Sequence, residues 1–107
     1  MSIKKKIPNE EWQEHIQSFL LGNTGRKVDI ATGGLTIVEN QVLRDIDYDP
    51  LGKGNNMTLT LGYSEDIFIH IVSAPTEFIL HEENKGAVST LEIIDRNGEV
   101  TYLRFLN

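Results

Sequence analysis

Apolar residues follow one rhythm up to Gly22 and another beyond it. Trp12, Ile16, Phe19 and Leu20 recur at helical spacing, which gathers them on one stripe of a helix. The spacing predicts a helix over residues 9–21. Asn9 suits its N-cap, Glu10 and Glu11 suit the positive end of its dipole, and Gly22 suits its C-terminal stop. A lone helix of this length is marginal in water. Its stripe is therefore expected to be buried on another element, with Trp12 and Phe19 in the core.

After Gly25 the pattern alternates. Val28 and Ile30 are interleaved with Lys27 and Asp29, Gly33-Gly34 reads as a tight hairpin turn, and Leu35 and Ile37 begin the return strand. Asn40-Gln41 is either a second turn or a bend, and Ile46 and Tyr48 then alternate with Asp45 and Asp47. Pro50, Gly52, Gly54, Asn55 and Asn56 form a loop. Met57, Leu59, Leu61 and Tyr63 alternate with Thr58 and Thr60, as in a sheet with one wet face. Ser64-Glu65-Asp66 turns the chain. Residues 67–72 are apolar on both faces, Ile67, Ile69 and Ile71 on one and Phe68 and Val72 on the other. They are expected to form a central strand covered on both sides. Ala74-Pro75 ends it, a short strand follows at Phe78 to His81, and residues 84–86 form a loop. Leu91, Ile93 and Ile94 lead into Asp95-Arg96-Asn97-Gly98, a strong hairpin signal, and Val100, Tyr102 and Phe105 or Leu106 close the pattern.

The predicted class is α+β: an N-terminal helix packed on a strongly bent, mainly antiparallel sheet or small barrel of about seven to eight short strands. No second helical period exists to serve as a βαβ crossover. The 107 residues are expected to form one domain, with 1–7 a flexible basic tail and 8–106 ordered.

Composition narrows the function classes. The chain is 39% hydrophobic and 24% charged, which is globular and not disordered. Cysteine is absent, so disulfides, thiolate ligands and cysteine nucleophiles are excluded. The opening residues lack an apolar segment behind their lysines, so no secretory signal is read and a cytoplasmic address is expected. The net charge of −6 argues against nucleic acid and anionic membranes as partners. It weighs equally against a nucleic-acid-binding barrel of the Sm or OB kind, which the strand pattern alone would allow.

Few residues suggest chemistry. Asp45, Asp47 and Asp49 are spaced to share one strand face, and crowded carboxylates can be relieved by a hard cation. The run opens like an EF-hand loop but has Pro50 where the turn glycine belongs and Asn56 where the bidentate glutamate belongs. His15, His70 and His81 form no paired metal motif. His70 is expected to be a satisfied core histidine. It could alternatively line a pocket with one of the aspartates for acid–base work. His81 is expected at a solvated strand edge. The loop Leu51-Gly52-Lys53-Gly54-Asn55 lacks the spacing and following helix of a phosphate cradle, and Ser73 has no recognisable base partner.

Several of these residues together carry a resemblance. The Trp12 helix, Gly25-x-x-Val28-x-Ile30, Ile46-x-Tyr48-Asp49, His70-Ile71 shortly before Pro75, and Leu91-Glu92-Ile93-x-Asp95-x-x-Gly98 are similar to the small bacterial proteins of domain of unknown function 5335. The resemblance implies the fold boundaries and a bacterial origin. It transfers no activity and no catalytic residue.

The expected function is a non-catalytic module that forms a homodimer or binds another protein through a sheet edge, without cofactor or metal. An open sheet has edges that must be paired, covered or blunted, and a two-fold dimer is the commonest oligomer. The alternative is a small-molecule or divalent-metal binding protein, with a pocket around Tyr48, Asp49 and His70 and the Asp45/Asp47/Asp49 cluster.

Overall fold

The computed structural model describes residues 3–50, 52–83 and 87–106. The loop expected at residues 84–86 lies outside the described residues, as does Leu51 of the glycine-rich loop. Strands β1 (Ile3–Lys6), β2 (Lys27–Thr32), β3 (Leu35–Asp49), β4 (Asn56–Tyr63), β5 (Asp66–Ser73), β6 (Pro75–Glu82), β7 (Val88–Asp95) and β8 (Val100–Phe105) form one sheet. One helix, α1 (Trp12–Asn23), follows a 3-10 turn at Asn9–Glu11. The strand order is β1-β6-β7-β8-β2-β3-β4-β5, and every pairing is antiparallel. The sheet is open, with β1 and β5 at its edges, so the barrel alternative is not realised.

The bend comes from β3. This 15-residue strand pairs with β2 through its first half and with β4 through its second. Between them Asn40 takes a left-handed backbone (φ 55°), and its N–H donates to Asp29 Oδ1 at 2.8 Å. From Val28 to Ile30 β2 advances one residue fewer than β3 does from Gln41 to Val38, which places a bulge in β3; a bulge bends its strand and adds twist. The Asn40-Gln41 ambiguity thus resolves as a bend. The bend folds the β3–β4–β5 arm over the rest of the sheet.

Helix α1 fills the concavity. Trp12, Ile16 and Phe19 are buried, as their spacing predicts. The Trp12 ring sits edge-on to Tyr48 of β3 at 4.9 Å and to Phe78 of β6 at 6.0 Å, tying both arms of the sheet to the helix. Its indole N–H donates to Ile7 O at 2.8 Å. Phe19 meets Phe105 in the same geometry at 5.4 Å. Val28, Ile30, Leu43, Met57, Leu59, Leu61, Leu91, Ile93 and Leu103 complete the core from alternate strand positions. Among the described residues every buried side-chain polar atom has a partner.

Four expectations are corrected. Asn9 does not cap α1; its amide donates to the Tyr48 hydroxyl at 3.1 Å instead. Gly22 does not stop the helix, which runs on to Asn23, and the chain turns out at Gly25 (φ 92°), whose N–H donates to Leu43 O. The basic run is no loose tail over residues 3–7: Ile3 to Lys6 pair with Glu82 to Ile79, and Ile7 is buried. Lys5 and Lys6 keep exposed ammonium groups that reach Glu82 at 2.7 Å and Glu77 at 3.1 Å. Finally, the strand expected at the centre, β5, lies at the edge. Its apolar residues on both faces report only that both faces favour cover, and the described residues leave the isoleucine face about half exposed.

Candidate functional site

The β4–β5 hairpin builds the feature that stands out on this surface. Its two-residue turn is Ser64-Glu65, with Ser64 in the left-handed region (φ 47°) and Tyr63 paired to Asp66. From that turn the register runs without a slip to Asn56 opposite Ser73. Directly opposed residues share a face. Phe68, His70 and Val72 therefore lie on the core side with Leu61, Leu59 and Met57, and Ile67, Ile69 and Ile71 lie on the outer side with Gly62, Thr60 and Thr58. The three isoleucines are 46%, 56% and 54% exposed, and Phe68 is 37% exposed. They line an edge strand that no other described strand pairs on its far side.

The two edges contrast. β1 carries Lys4, Lys5 and Lys6, and lysines on an edge keep other strands from pairing with it. β5 carries no ammonium or carboxylate after Asp66. It is eight residues long, apolar and straight in register, the combination that invites strand addition.

The residues singled out from the sequence are dispersed. Tyr48 is buried against Trp12, and its carbonyl accepts from Gln13 Nε2 at 3.1 Å. Register rows run Asp45–Thr60–Ile69, Asp47–Thr58–Ile71 and Asp49–Asn56–Ser73. The aspartates thus belong to the outer face. His70 stands in the row Ile46–Leu59–His70 on the inner face. Asp49 and His70 are on opposite faces, three positions apart along the strands and two strands apart across them. That separates their backbones by about 14 Å at ordinary sheet spacings, too far for the proton relay considered above. Burial lowers the His70 pKa below its ordinary 6.5, and the Glu99 carboxylate partly offsets this.

Asp45 and Asp47 also border an open groove of about 250 Å³ between α1 and β3, with Gln13 and Gln17 on its helix side. Among the described residues no three His, Asp or Glu side chains gather closely enough to hold a metal ion. No helix of the described residues is long and apolar enough to cross a membrane.

His81 is placed differently from its expectation. It is flanked by β1 and β7, and its Nε2 lies 2.8 Å from Oε1 of the buried Glu92. Nothing in the alternation around Glu92 announces burial; Glu92 lies between Ile79 of β6 and Tyr102 of β8 in the sheet. His15 stays half-exposed, with Glu11 one helical turn away at 3.4 Å.

The model of a family of unknown function, DUF5335, matches residues 3–107. The chain belongs to this family. A DUF5335 assignment over that span agrees with the order of elements, since it takes in β1 at one end and β8 at the other. An uncharacterized protein of Aquifex aeolicus (strain VF5) is 26% identical over 105 residues, covering 94% of this chain and 89% of its own. No solved structure matches the chain. In this DUF5335 protein the residues behind the resemblance have structural uses: Trp12 joins the sheet arms, Glu92 holds His81, and Asp95 closes the β7–β8 turn by accepting from Asn97 N and Glu99 N at 2.8 and 2.9 Å.

Proposed function

We propose that this chain is a non-catalytic interaction module that works by adding a strand to its β5 edge, and that the strand is supplied by a second copy of the chain. The observation that carries the reading is the apolar β5 edge, without ammonium or carboxylate after Asp66 and with Ile67, Ile69 and Ile71 about half exposed on one face. An edge strand of this kind is an aggregation hazard unless something pairs with it. A copy of the chain suits this edge because the edge is self-complementary: an antiparallel copy sets isoleucine against isoleucine. A body of net charge −6 repels its like over most of its surface, and β5 offers a stretch where two copies can meet without opposing carboxylates. The lysine-guarded β1 disfavours the head-to-tail contact of β5 on β1, which would propagate as a filament.

The reading carries with it a bacterial origin, supported by the Aquifex relative, and a cytoplasmic address, supported by a small domain built without disulfides. Size-exclusion chromatography with light scattering tests it. A dimer is expected at high micromolar concentration, and Ile69→Lys is expected to run as a folded monomer, because it sets an ammonium against its own copy. A wild-type chain that stays monomeric at that concentration would overturn the proposal, as would an Ile69→Lys variant that stays dimeric.

A further inference from the structure

The hairpin does more than expose an edge, because it also dictates how a second copy can sit on it. We infer that two copies pair β5 antiparallel about a two-fold axis through Ile69, with Ile67 of each opposite Ile71 of the other. This rests on the self-association proposed above.

The argument begins at the turn. In a hairpin with a two-residue loop the closing pair is hydrogen-bonded, here Tyr63 with Asp66. Hydrogen-bonded and non-hydrogen-bonded pairs then alternate along an antiparallel ladder. Leu61–Phe68, Leu59–His70 and Met57–Val72 are therefore bonded pairs. The far end of the ladder agrees: the next bonded pair in the series is Asn55–Ala74, and Ala74 N donates to Asn55 O at 2.8 Å. Phe68, His70 and Val72 thus spend their backbone groups on β4. Ile67, Ile69, Ile71 and Ser73 turn their N–H and C=O groups away from β4, toward the open side.

A two-fold partner presents the same set of outward groups. Pairing therefore has to bring outward residues opposite outward residues, which removes every register that sets Ile69 against His70 or Phe68. Two registers keep most of the strand in play. With the axis at Ile69, all three isoleucines face isoleucines, about six backbone hydrogen bonds form between the copies, and Phe68 packs beside His70 of the other copy on the inner face. With the axis at His70, Ile67 faces Ser73 and the two imidazoles face each other. The first register matches apolar to apolar along the whole stripe and avoids opposing two ionisable rings. Cross-strand pairs of β-branched side chains stabilise a sheet and like charges directly opposite destabilise it.

The chain has no cysteine, so the only thiols present are those introduced. In the Ile69 register the two Cα atoms at position 69 lie about 5.5 Å apart, within the range a disulfide spans. Those at position 70 are offset by two residues and lie about 8 Å apart, beyond that range. Under mild oxidation Ile69→Cys is expected to form a covalent dimer at least about tenfold faster than Leu21→Cys, an exposed position on α1 that reports random collision. His70→Cys and Ile67→Cys are expected to match the collision control. The double variant Ile67→Cys/Ile71→Cys, which leaves Ile69 in place, is expected to cross-link as fast as Ile69→Cys. If light scattering shows a dimer and His70→Cys is the fast position, the register is overturned and the edge pairing stands. If the wild-type chain shows no dimer and no variant exceeds the control, both fall.

Discussion

One methyl group at Gly62 tests the hairpin on which the edge depends. Gly62 sits in β4 opposite Ile67 with φ 103°. A Cβ built there would lie 2.0 Å from Asp66 O, 3.1 Å from Asp66 C and 3.4 Å from Ile67 Cα. All three are backbone atoms, so no side-chain rotation relieves the overlap. The left-handed backbone alone costs an L-residue about 1–2 kcal/mol. Forcing atoms into occupied space adds about 1–3 kcal/mol. Gly98, in the β7–β8 turn, provides the control: its φ is 81°, and a Cβ there meets nothing within 4 Å. Gly98→Ala should show the conformational cost alone. Gly62→Ala should lose about 2–5 kcal/mol in urea unfolding, against about 1–2 kcal/mol for Gly98→Ala. In a domain of this size each kcal/mol moves the melting temperature by roughly 4–8 °C, so thermal unfolding followed by circular dichroism resolves the difference. If the two variants agree within about 0.5 kcal/mol, a margin typical of surface changes, the close approach at Gly62 does not govern the hairpin and the reasoning fails.

Trp12→Phe removes the indole N–H that serves Ile7 O and leaves a void between Tyr48 and Phe78; it is expected to cost about 2–4 kcal/mol, measured by circular dichroism because the chain's single tryptophan is lost. His70 has a folded-state pKa below its ordinary 6.5, chiefly from burial. Above pH 6.5 it is neutral folded or unfolded and adds nothing, whereas below that the unfolded chain takes up the proton first, so stability is lost as pH falls toward the folded value. Urea midpoints taken from pH 7.5 down to 5.5 are expected to fall further for the wild-type chain than for His70→Gln; equal slopes would contradict the buried placement. Lys5→Ala is expected to cost no more than about 1 kcal/mol, because its pair with Glu82 is largely solvated on the lysine side; a much larger loss would mean that β1 is held by that ion pair and not by its ladder.

Local patterns carried the secondary structure. Helical spacing located the buried face of α1 at Trp12, Ile16 and Phe19, and the turn chemistry of Gly33-Gly34, Ser64-Glu65 and Asp95 to Gly98 located three hairpins. The division of β5 into an isoleucine face and a Phe68/Val72 face was equally legible, since alternation is a property of consecutive residues. The candidate site was not. Asp49 and His70 were eligible partners by residue type, and only the β3–β4–β5 register shows that they occupy opposite faces.

What the sequence determined by itself was therefore every feature set by neighbours a few residues apart: the helix, the turns, the alternation and an acidic surface. What tertiary structure decided was strand order. It placed β5 at an edge and not at the centre, brought Ile3 to Lys6 into the sheet beside β6, buried Glu92 with His81 and left the sheet open. These outcomes rest on hydrogen bonds and packing between segments far apart in the chain. The same apolar residues satisfy the local pattern whether their cover comes from this chain or from another.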